Sequence, residues 1–269
     1  HNARVIARAS SWLAVAPICG PILGSWLQVA FGWRAAFVAL TLFSAALLAV
    51  ALLRLPETNA HKDPRATELA GVLANYRIVL GAREFWAHAA PGALSYGGIF
   101  LFISGMSLAL IDILKVPTAR FGYCFGFGVC GYLAGTMLCR RLLARYGSGR
   151  TLKIGTAVSL ATGALFLAAV AAGALHWSLV VAAMFLTMGA HGLNFPVAQS
   201  GAVAPFPQQA ATAAGLMGAL YMLVAFVVGS ALGASYDGTL YPMAAIACVL
   251  GVAIFCVVRA LPGAALAAR

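Results

Sequence analysis

The sequence predicts an all-α polytopic membrane protein, and three observations carry that prediction. Hydrophobic residues make up 63% of the 269 residues and charged residues only 9%, whereas soluble domains carry roughly a quarter charged residues. The mean hydropathy is +0.96. Charge-free runs recur along the chain, and residues 154–236 contain no charged residue at all. This composition excludes an ordinary soluble fold.

Charges and turn-forming residues divide the apolar sequence into eight expected transmembrane helices of about twenty residues each. A turn at 31–34 separates the first two spans, and the second ends at Arg54. A basic loop at 140–153 separates the fourth span from the fifth, and turns at 173–177 and 205–209 divide the long charge-free run. The expected spans are 9–30, 35–53, 85–111, 121–143, 154–172, 177–198, 211–233 and 240–258.

The polar stretch at 54–84 predicts a linker that contains an amphipathic helix. Its apolar residues recur at helical spacing, and Arg77 and Arg83 fall among the polar positions. Such a helix is expected to lie on the membrane surface, and a docking site for a partner protein is the alternative. The apolar positions are Leu69, Val72, Leu73, Tyr76, Val79 and Leu80.

The basic residues indicate the orientation of the chain in the membrane. The N-terminal segment, the linker, the 140–153 loop and the C-terminus hold fourteen of the seventeen Lys and Arg residues. Positive loops remain in the cytoplasm, so both ends of the chain are expected there. The formal net charge of +11 is therefore assigned to the membrane surface, and no nucleic-acid partner is expected.

The first apolar segment carries small residues at four-residue spacing, at Ala16, Gly20 and Gly24. On a helix these positions form one stripe, along which another backbone can approach closely. Pro17 and Pro21 interrupt the same segment, and proline bends a helix by removing an internal hydrogen bond. The segment therefore predicts a kinked helix that packs closely inside a membrane bundle. The expected partner is the span around 122–135 or the one around 215–233.

No pattern of catalytic or metal-binding residues is visible in the sequence. The six cysteines include no CxxC pair, and the five histidines are dispersed, so neither a metal site nor a Cys–His nucleophile is expected. The string Gly126-Phe127-Gly128-Val129-Cys130-Gly131 matches GxGxxG but lies inside an apolar helix, which is the wrong context for a nucleotide. Helix packing by the glycine pairs at 122/126 and 131/135 explains it better. Neither an enzyme nor a cofactor is predicted.

A few polar and aromatic residues within the spans predict a ligand cavity. Intramembrane polar side chains face the bundle interior or a water-filled path, and aromatic and methionine side chains adapt to varied apolar ligands. Interhelical hydrogen bonding is the alternative role for the polar members. The span interiors hold no Asp, Glu, Lys or Arg, which leaves His191 as a weak candidate for a titratable group. The proposed lining residues are Tyr96, Phe100, Ser104, Phe127, His191, Asn194, Met217 and Tyr221, with Ser95, Phe102, Gln199 and Met222 as further members.

Several motifs resemble those of the major facilitator superfamily. Gly20-Pro21-Ile22-Leu23-Gly24-Ser25 is similar to the superfamily's antiporter motif, with Ala16 and Ser25 in place of two motif glycines. This stretch is followed by the residues at 32–37 and then by those at 55–58. That order of motifs resembles the Bcr/CflA drug-resistance branch. The cytoplasmic loop is a degenerate copy of a superfamily loop motif that lacks its acidic residue. Its matching residues are Arg141, Arg145, Gly147 and Arg150.

The resemblance implies that the eight spans correspond to helices five to twelve of a twelve-helix transporter. Residues 1–53 would be the last two helices of the N-terminal half, 54–84 the cytoplasmic linker and 85–269 the six-helix C-terminal half. The first four family helices would then be absent, which agrees with a chain that begins at His1 rather than at methionine. The cavity would be lined by the third, fourth, sixth and seventh spans.

The implied function is multidrug efflux by proton antiport of amphipathic small molecules. The implied location is the bacterial inner membrane, and the implied partners are the substrate, protons and the lipid bilayer, with the protein as a monomer. Two alternatives remain open, since fold does not set substrate. They are a metabolite carrier of the same fold and a non-transporting membrane sensor or assembly subunit.

Overall fold

The structure is a computed structural model that describes residues 19–20, 22–55 and 69–260. Its described part is a bundle of α-helices. The helices are α1 (Ile22–Phe31), α2 (Arg34–Arg54), α3 (Leu69–Gly81), α4 (Arg83–Ser107), α5 (Thr118–Ala171), α6 (Trp177–Val203), α7 (Ala210–Ser235) and α8 (Tyr241–Ala260). A π-helical turn at Leu108–Ile113 continues α4.

The 54-residue helix α5 contains two of the expected spans. Gly147 interrupts it with φ 74° and ψ 177°, a backbone conformation that favours glycine. Cys139 before the break and Leu152 after it pack in one cluster with Leu193, so the chain reverses direction at Gly147. The expected spans at 121–143 and 154–172 are therefore the two limbs of α5, here called α5a and α5b.

Within the described residues, six helices are long and apolar enough to cross a membrane, with α5 counted once. Because α5 has two limbs, they account for seven of the eight expected spans. The remaining span, at 9–30, is described only in part, and α1 forms its second portion. The motif residues Ala16, Pro17 and Pro21 lie outside the described residues.

The core lies between α4 and the helices α5 to α8. The largest apolar cluster includes Phe102, Met106, Phe166 and Met184, all at most 3% exposed. A second cluster joins the start of α4 to the start of α7. α4 touches five other helices, α3 and α5 to α8, and is the central element of the bundle.

Close approaches of backbone hold α5a against α6. A Cβ atom at Gly131 would collide with the carbonyl oxygen of Phe185, and one at Gly135 would collide with that of Gly189. Small residues that let backbones meet are a general way of packing membrane helices. The packing role expected for Gly131 and Gly135 is thereby confirmed.

The linker helix predicted from apolar periodicity is present as α3. Val79 is fully buried and packs with Phe85 and Met217, while the Trp86 indole N–H donates to the Leu80 carbonyl oxygen at 2.8 Å. Leu73, by contrast, is 57% exposed. The apolar residues of α3 thus divide between contacts with the bundle and an outer face, and the membrane-surface position stays a prediction.

Helix α2 buries none of its residues against the rest of the described chain. Its sequence is apolar on every face, which suits contact with lipid or with other membrane helices. Arg34 at its start lies over the ring of Trp33 at 4.7 Å. This pair places one basic and one aromatic residue at the same end of the helix, as membrane–water interfaces favour.

Candidate substrate cavity

A cavity of about 320 Å³ opens among α4, α5a and α6. Each helix presents residues at spacings of three and four, which place them on one helical face. The volume lies at the lower end of the range for small-molecule pockets, about 300 to 1,000 Å³. The lining residues are Tyr96, Ile99 and Ile103 from α4, Phe125, Val129 and Tyr132 from α5a, and Met188, His191 and Phe195 from α6.

Helix α7 packs against the wall of this cavity through Tyr221. Its ring stacks on Tyr96 with centroids 5.3 Å apart and an angle of 17° between the planes, and it contacts Phe195 at 6.0 Å. The Tyr221 hydroxyl donates to the Gln199 side-chain oxygen at 3.3 Å. These contacts bring aromatic surface from α4, α6 and α7 together at one place in the bundle.

A buried polar network lies on the side of His191 that faces away from the cavity. The Ser95 hydroxyl is 3.0 Å from His191 Nδ1. The Asn194 side-chain nitrogen donates to the hydroxyl oxygens of Ser95 and Ser159 at 3.4 and 3.3 Å. Such partners offset the cost of burying polar groups in a low-dielectric interior. The Asn194 side-chain oxygen, in contrast, is buried without a hydrogen-bond partner among the described residues. The network ties α4, α5b and α6 together at mid-helix.

Three aromatic rings surround the imidazole of His191. The centroids of Phe195, Tyr132 and Tyr96 lie 5.1, 5.9 and 6.2 Å from the imidazole centroid. The ring is only 4% exposed. His191 is therefore the one residue that belongs to both the aromatic cavity and the polar network among the described residues.

Of the set predicted to line a cavity, only Tyr96 and His191 are among the lining residues. Asn194 lies in the polar network beside Ser95, and Tyr221 stacks on Tyr96 without lining the cavity itself. Phe100 packs at the α4–α7 contact instead, where its ring would meet a Cβ atom at Gly229 at 3.0 Å. The other three predicted residues, Ser104, Phe127 and Met217, also lie away from the cavity.

Phe127 and Met217 do not reach the cavity that the sequence assigned to them. Phe127 is 59% exposed and stacks on Phe185 at 5.4 Å, because it lies on the face of α5a opposite Phe125. Met217 is fully buried in the cluster at the start of α4 and α7.

Ser104 and two of the further members are also elsewhere. The Ser104 hydroxyl donates to the carbonyl oxygen of Phe100 in its own helix at 2.7 Å. Phe102 packs in the core on Phe166, with centroids 5.9 Å apart, and Met222 is 56% exposed.

Most cavity residues that sequence reasoning missed are apolar. Ile99, Phe125, Val129, Tyr132 and Phe195 carry no polarity signal that distinguishes them from lipid-facing residues. The available signal was spacing, since Met188 and Phe195 stand three and four positions from His191. Ser159, which anchors Asn194, was also missed.

The small residues Gly20 and Gly24 of the antiporter motif do not make the close helix packing that the sequence predicts. A Cβ atom at Gly20 or Gly24 would meet nothing within 4 Å among the described residues. α1 does lie beside the start of α5a, and a cavity of about 360 Å³ separates them, lined in part by Ser25 and Gly122. The space between the helices explains why the two backbones do not touch.

The loop motif predicted at Arg141, Arg145, Gly147 and Arg150 falls at the reversal of α5. Gly147 supplies the positive φ there, and the Thr151 hydroxyl donates to its carbonyl oxygen at 2.7 Å. Arg141, Arg145 and Arg150 are exposed around it, and the guanidinium of Arg145 lies 5.3 Å from the ring centroid of Tyr146. Exposed cations at a helix reversal are suited to contact with water or anionic lipid.

A comparison with models of protein families identifies the family of this chain. The family model described as Major Facilitator Superfamily matches residues 1–230. The chain belongs to the Major Facilitator Superfamily. This is a superfamily of transporters, and with its long apolar helices the chain is a multi-pass membrane protein.

Relatives within the superfamily carry drug-resistance names. The bicyclomycin resistance protein homolog of Haemophilus influenzae is 24% identical, over 89% of this chain and 60% of the relative. Multidrug resistance protein D of Escherichia coli is 27% identical, over 81% of this chain and 54% of the relative. A chloramphenicol resistance protein of Pseudomonas aeruginosa is 28% identical, over 75% of this chain and 47% of the relative. The resemblance to the drug-resistance branch is confirmed, and the chain spans about half to three-fifths of these relatives' length.

Proposed function

We propose that this chain is part of a secondary active transporter that exports amphipathic small molecules in exchange for protons. The observation that carries the proposal is the aromatic cavity lined by Tyr96, Tyr132 and His191, in a chain whose relatives are named for drug resistance. Apolar and aromatic walls with few polar groups are typical of sites that bind small organic molecules.

The cavity walls match the chemistry of an amphipathic ligand. All nine lining residues are uncharged apart from the titratable ring of His191. Burying apolar ligand surface contributes roughly 25 cal/mol per Å², which does not depend on the details of ligand shape. Tyr96 adds a flat π surface that is backed by the stacked ring of Tyr221, and Met188 adds an adaptable thioether. Such a site favours broad rather than narrow selectivity.

The proposed cycle places the cavity between two halves of a transporter. In this proposal residues 85–269 form one six-helix half, 54–84 link the halves, and 1–53 belong to the other half. Alternating access then rocks the halves about the central site, and the antiporter motif around Gly20 lies at the seam. Both ends of the chain are cytoplasmic in a bacterial inner membrane, and the protein acts as a monomer.

Efflux from cells that express the complete product of the gene tests the proposal. Cells are loaded with a fluorescent amphipathic cation, and its loss is followed with and without a protonophore. We expect faster loss than in cells with an empty vector, and we expect the protonophore to abolish the difference. Efflux that persists after the proton gradient collapses would contradict proton coupling.

The same cells separate the proposal from its alternatives. A metabolite carrier would move a polar metabolite from a substrate panel and leave amphipathic drugs untouched. A sensor or assembly subunit would move neither class. Either result would contradict multidrug efflux while leaving the fold unchanged.

A further inference from the structure

The polar network fixes which nitrogen of His191 faces the cavity. Ring-nitrogen roles in a histidine are set by its hydrogen-bond partners, and here the partner of Nδ1 is the Ser95 hydroxyl at 3.0 Å. The direction of that hydrogen bond decides the tautomer. If Ser95 donates, Nδ1 is an acceptor and the ring proton is on Nε2.

The Asn194 amide sets the direction of the Ser95 hydroxyl. Its nitrogen donates to the Ser95 oxygen, so that oxygen already accepts one hydrogen bond. Other serines in the bundle donate to a carbonyl of their own helix, as Ser104 does to Phe100 and Ser159 to Gly155. Ser95 has no such carbonyl partner among the described residues. A hydroxyl oxygen can accept two hydrogen bonds but has only one proton to donate, and His191 Nδ1 is the acceptor within reach of that proton.

The packing of Gly155 fixes the orientation of the Asn194 amide. The Asn194 side-chain oxygen occupies the space in which a Cβ atom at Gly155 would stand. An oxygen tolerates the Cα–H groups of glycine as weak donors, whereas an NH₂ group there would point its protons at carbon. We therefore place the nitrogen toward Ser95 and Ser159, where it donates two hydrogen bonds, and the oxygen toward Gly155, where it has no hydrogen-bond partner among the described residues.

We infer that His191 presents an Nε2–H donor to the cavity and that this donor selects ligands carrying a hydrogen-bond acceptor. The relay runs from the Asn194 amide through the Ser95 hydroxyl to Nδ1. Nε2, on the opposite edge of a ring that lines the cavity, has no hydrogen-bond partner among the described residues. The inference rests on the proposed function for its ligand, while the tautomer is a property of the protein alone.

The ligand chemistry follows from the surroundings of the donor. Six of the nine lining residues are aliphatic, thioether or phenylalanine side chains, so the only polar groups besides His191 are the hydroxyls of Tyr96 and Tyr132. The hydroxyl of the neighbouring Tyr221 is used in a hydrogen bond to Gln199. A carbonyl or nitro oxygen on an otherwise apolar molecule would satisfy His191, and its hydrophobic remainder would cover the aromatic walls. Asn194 and Ser95 are positioning residues, since they act on the ligand only through the imidazole.

Nitrogen-15 NMR of the imidazole groups tests the tautomer directly in the complete gene product. The chain has five histidines, and the signals lost in His191→Gln are those of His191. We expect an unprotonated Nδ1 and a protonated Nε2 in the wild type. Ser95→Ala should mix the two tautomers, and Ser104→Ala, the matched serine control on α4, should not. A ring with its proton on Nδ1, or on both nitrogens, overturns the inference.

A pair of transport probes tests the selectivity. Chloramphenicol carries carbonyl and nitro acceptors, whereas tetraphenylphosphonium carries none. His191→Leu removes the donor and should lower chloramphenicol efflux by about three- to tenfold, the value of one neutral hydrogen bond, while tetraphenylphosphonium efflux changes little. His191→Gln places an amide N–H near the Nε2 position and should restore chloramphenicol efflux.

The outcomes separate the inference from the proposed function. An equal loss for both probes in His191→Leu, or no recovery in His191→Gln, overturns the selectivity role. A wild type that exports neither probe contradicts the proposed function instead, and the NMR result still decides the tautomer. No loss for chloramphenicol in His191→Leu also overturns the inference.

Discussion

Replacement of Gly192 by alanine is the sharpest test of how the cavity wall is built. Gly192 lies next to His191 on α6 and faces the backbone of α5a. A Cβ atom at this position would stand 2.6 Å from the Tyr132 carbonyl oxygen and 2.8 Å from the Thr136 nitrogen. Ordinary contact begins at 3.4 Å, so the two helices must separate by about 0.8 Å. Backbone atoms cannot swing aside as the end of a side chain can.

The magnitude follows from two opposing terms. Overpacking costs typically 1 to 3 kcal/mol, and the rigid backbone places this site near about 3 kcal/mol. Alanine recovers about 1 kcal/mol of helix propensity relative to glycine. The net loss is about 2 kcal/mol, which corresponds to a decrease of about 4 °C or less in the apparent melting temperature of the complete gene product, because the shift per kcal/mol is about 2 to 4 °C at 150 to 250 residues and falls with chain length. Transport should fall as well, because Tyr132 and His191 line the cavity on the two separated helices.

Size-exclusion detection of the fluorescently tagged complete gene product after heating measures that decrease. Gly218→Ala on α7 is the matched control, because a Cβ atom there meets nothing within 4 Å. The control should melt at the wild-type temperature or slightly above it, since it gains propensity without a clash. Equal melting temperatures for the two alanine variants would refute the close backbone approach of α5a and α6.

Three further predictions concern other parts of the chain. Gly155→Ala should displace the Asn194 amide and move the His191 nitrogen-15 signals toward the other tautomer, and unchanged signals would contradict the proposed relay. Hydrogen bonds from the Thr239 hydroxyl and backbone N–H lower the pKa of Asp237. Ionised Asp237 therefore stabilises the fold at pH values above the ordinary carboxyl pKa of 3.8, and this stabilisation is lost as the pH falls below that value. In a melting series from pH 6 to pH 3, the melting temperature of Asp237→Asn should fall less than that of the wild type. Gly20→Leu should reduce drug efflux with normal membrane abundance on an immunoblot, because a large side chain would obstruct the proposed seam between the two halves, and unchanged efflux would contradict that role for the motif.

The expected spans agree closely with the helices because hydropathy is a strong signal for membrane insertion. The span predicted at 35–53 is the helix Arg34–Arg54, and the one at 177–198 is Trp177–Val203. The basic loop predicted at 140–153 contains the turn at Gly147. Composition and charge therefore sufficed to find the elements.

Which residues line the cavity was harder to predict, because composition does not state which face of a helix is buried. Phe125 and Phe127 are the same residue type two positions apart, about 200° around the helix. Phe125 lines the cavity, while Phe127 faces outward. His191 and Asn194 were found because polar residues within a membrane have few positions available to them. The apolar majority of the wall carries no such signal.

The antiporter motif shows a second limit of sequence reasoning. Small residues at four-residue spacing permit a close approach but do not require one. Gly131 and Gly135 meet the backbone of α6, whereas Gly20 and Gly24 meet nothing within 4 Å among the described residues. The same pattern thus has two outcomes, and the position of the neighbouring helix decides between them.

Uptake into inverted membrane vesicles tests the central claim most directly. Vesicles that contain the complete gene product are given an inwardly acidic pH gradient, and accumulation of a fluorescent amphipathic cation is followed. We expect accumulation in the wild type, its loss in Tyr96→Ala, and its retention in Phe127→Ala, an aromatic residue on the same bundle that lies outside the cavity. Accumulation that ignores the gradient, or that is equal in Tyr96→Ala and wild type, would contradict a proton-coupled transporter with this cavity as its substrate site.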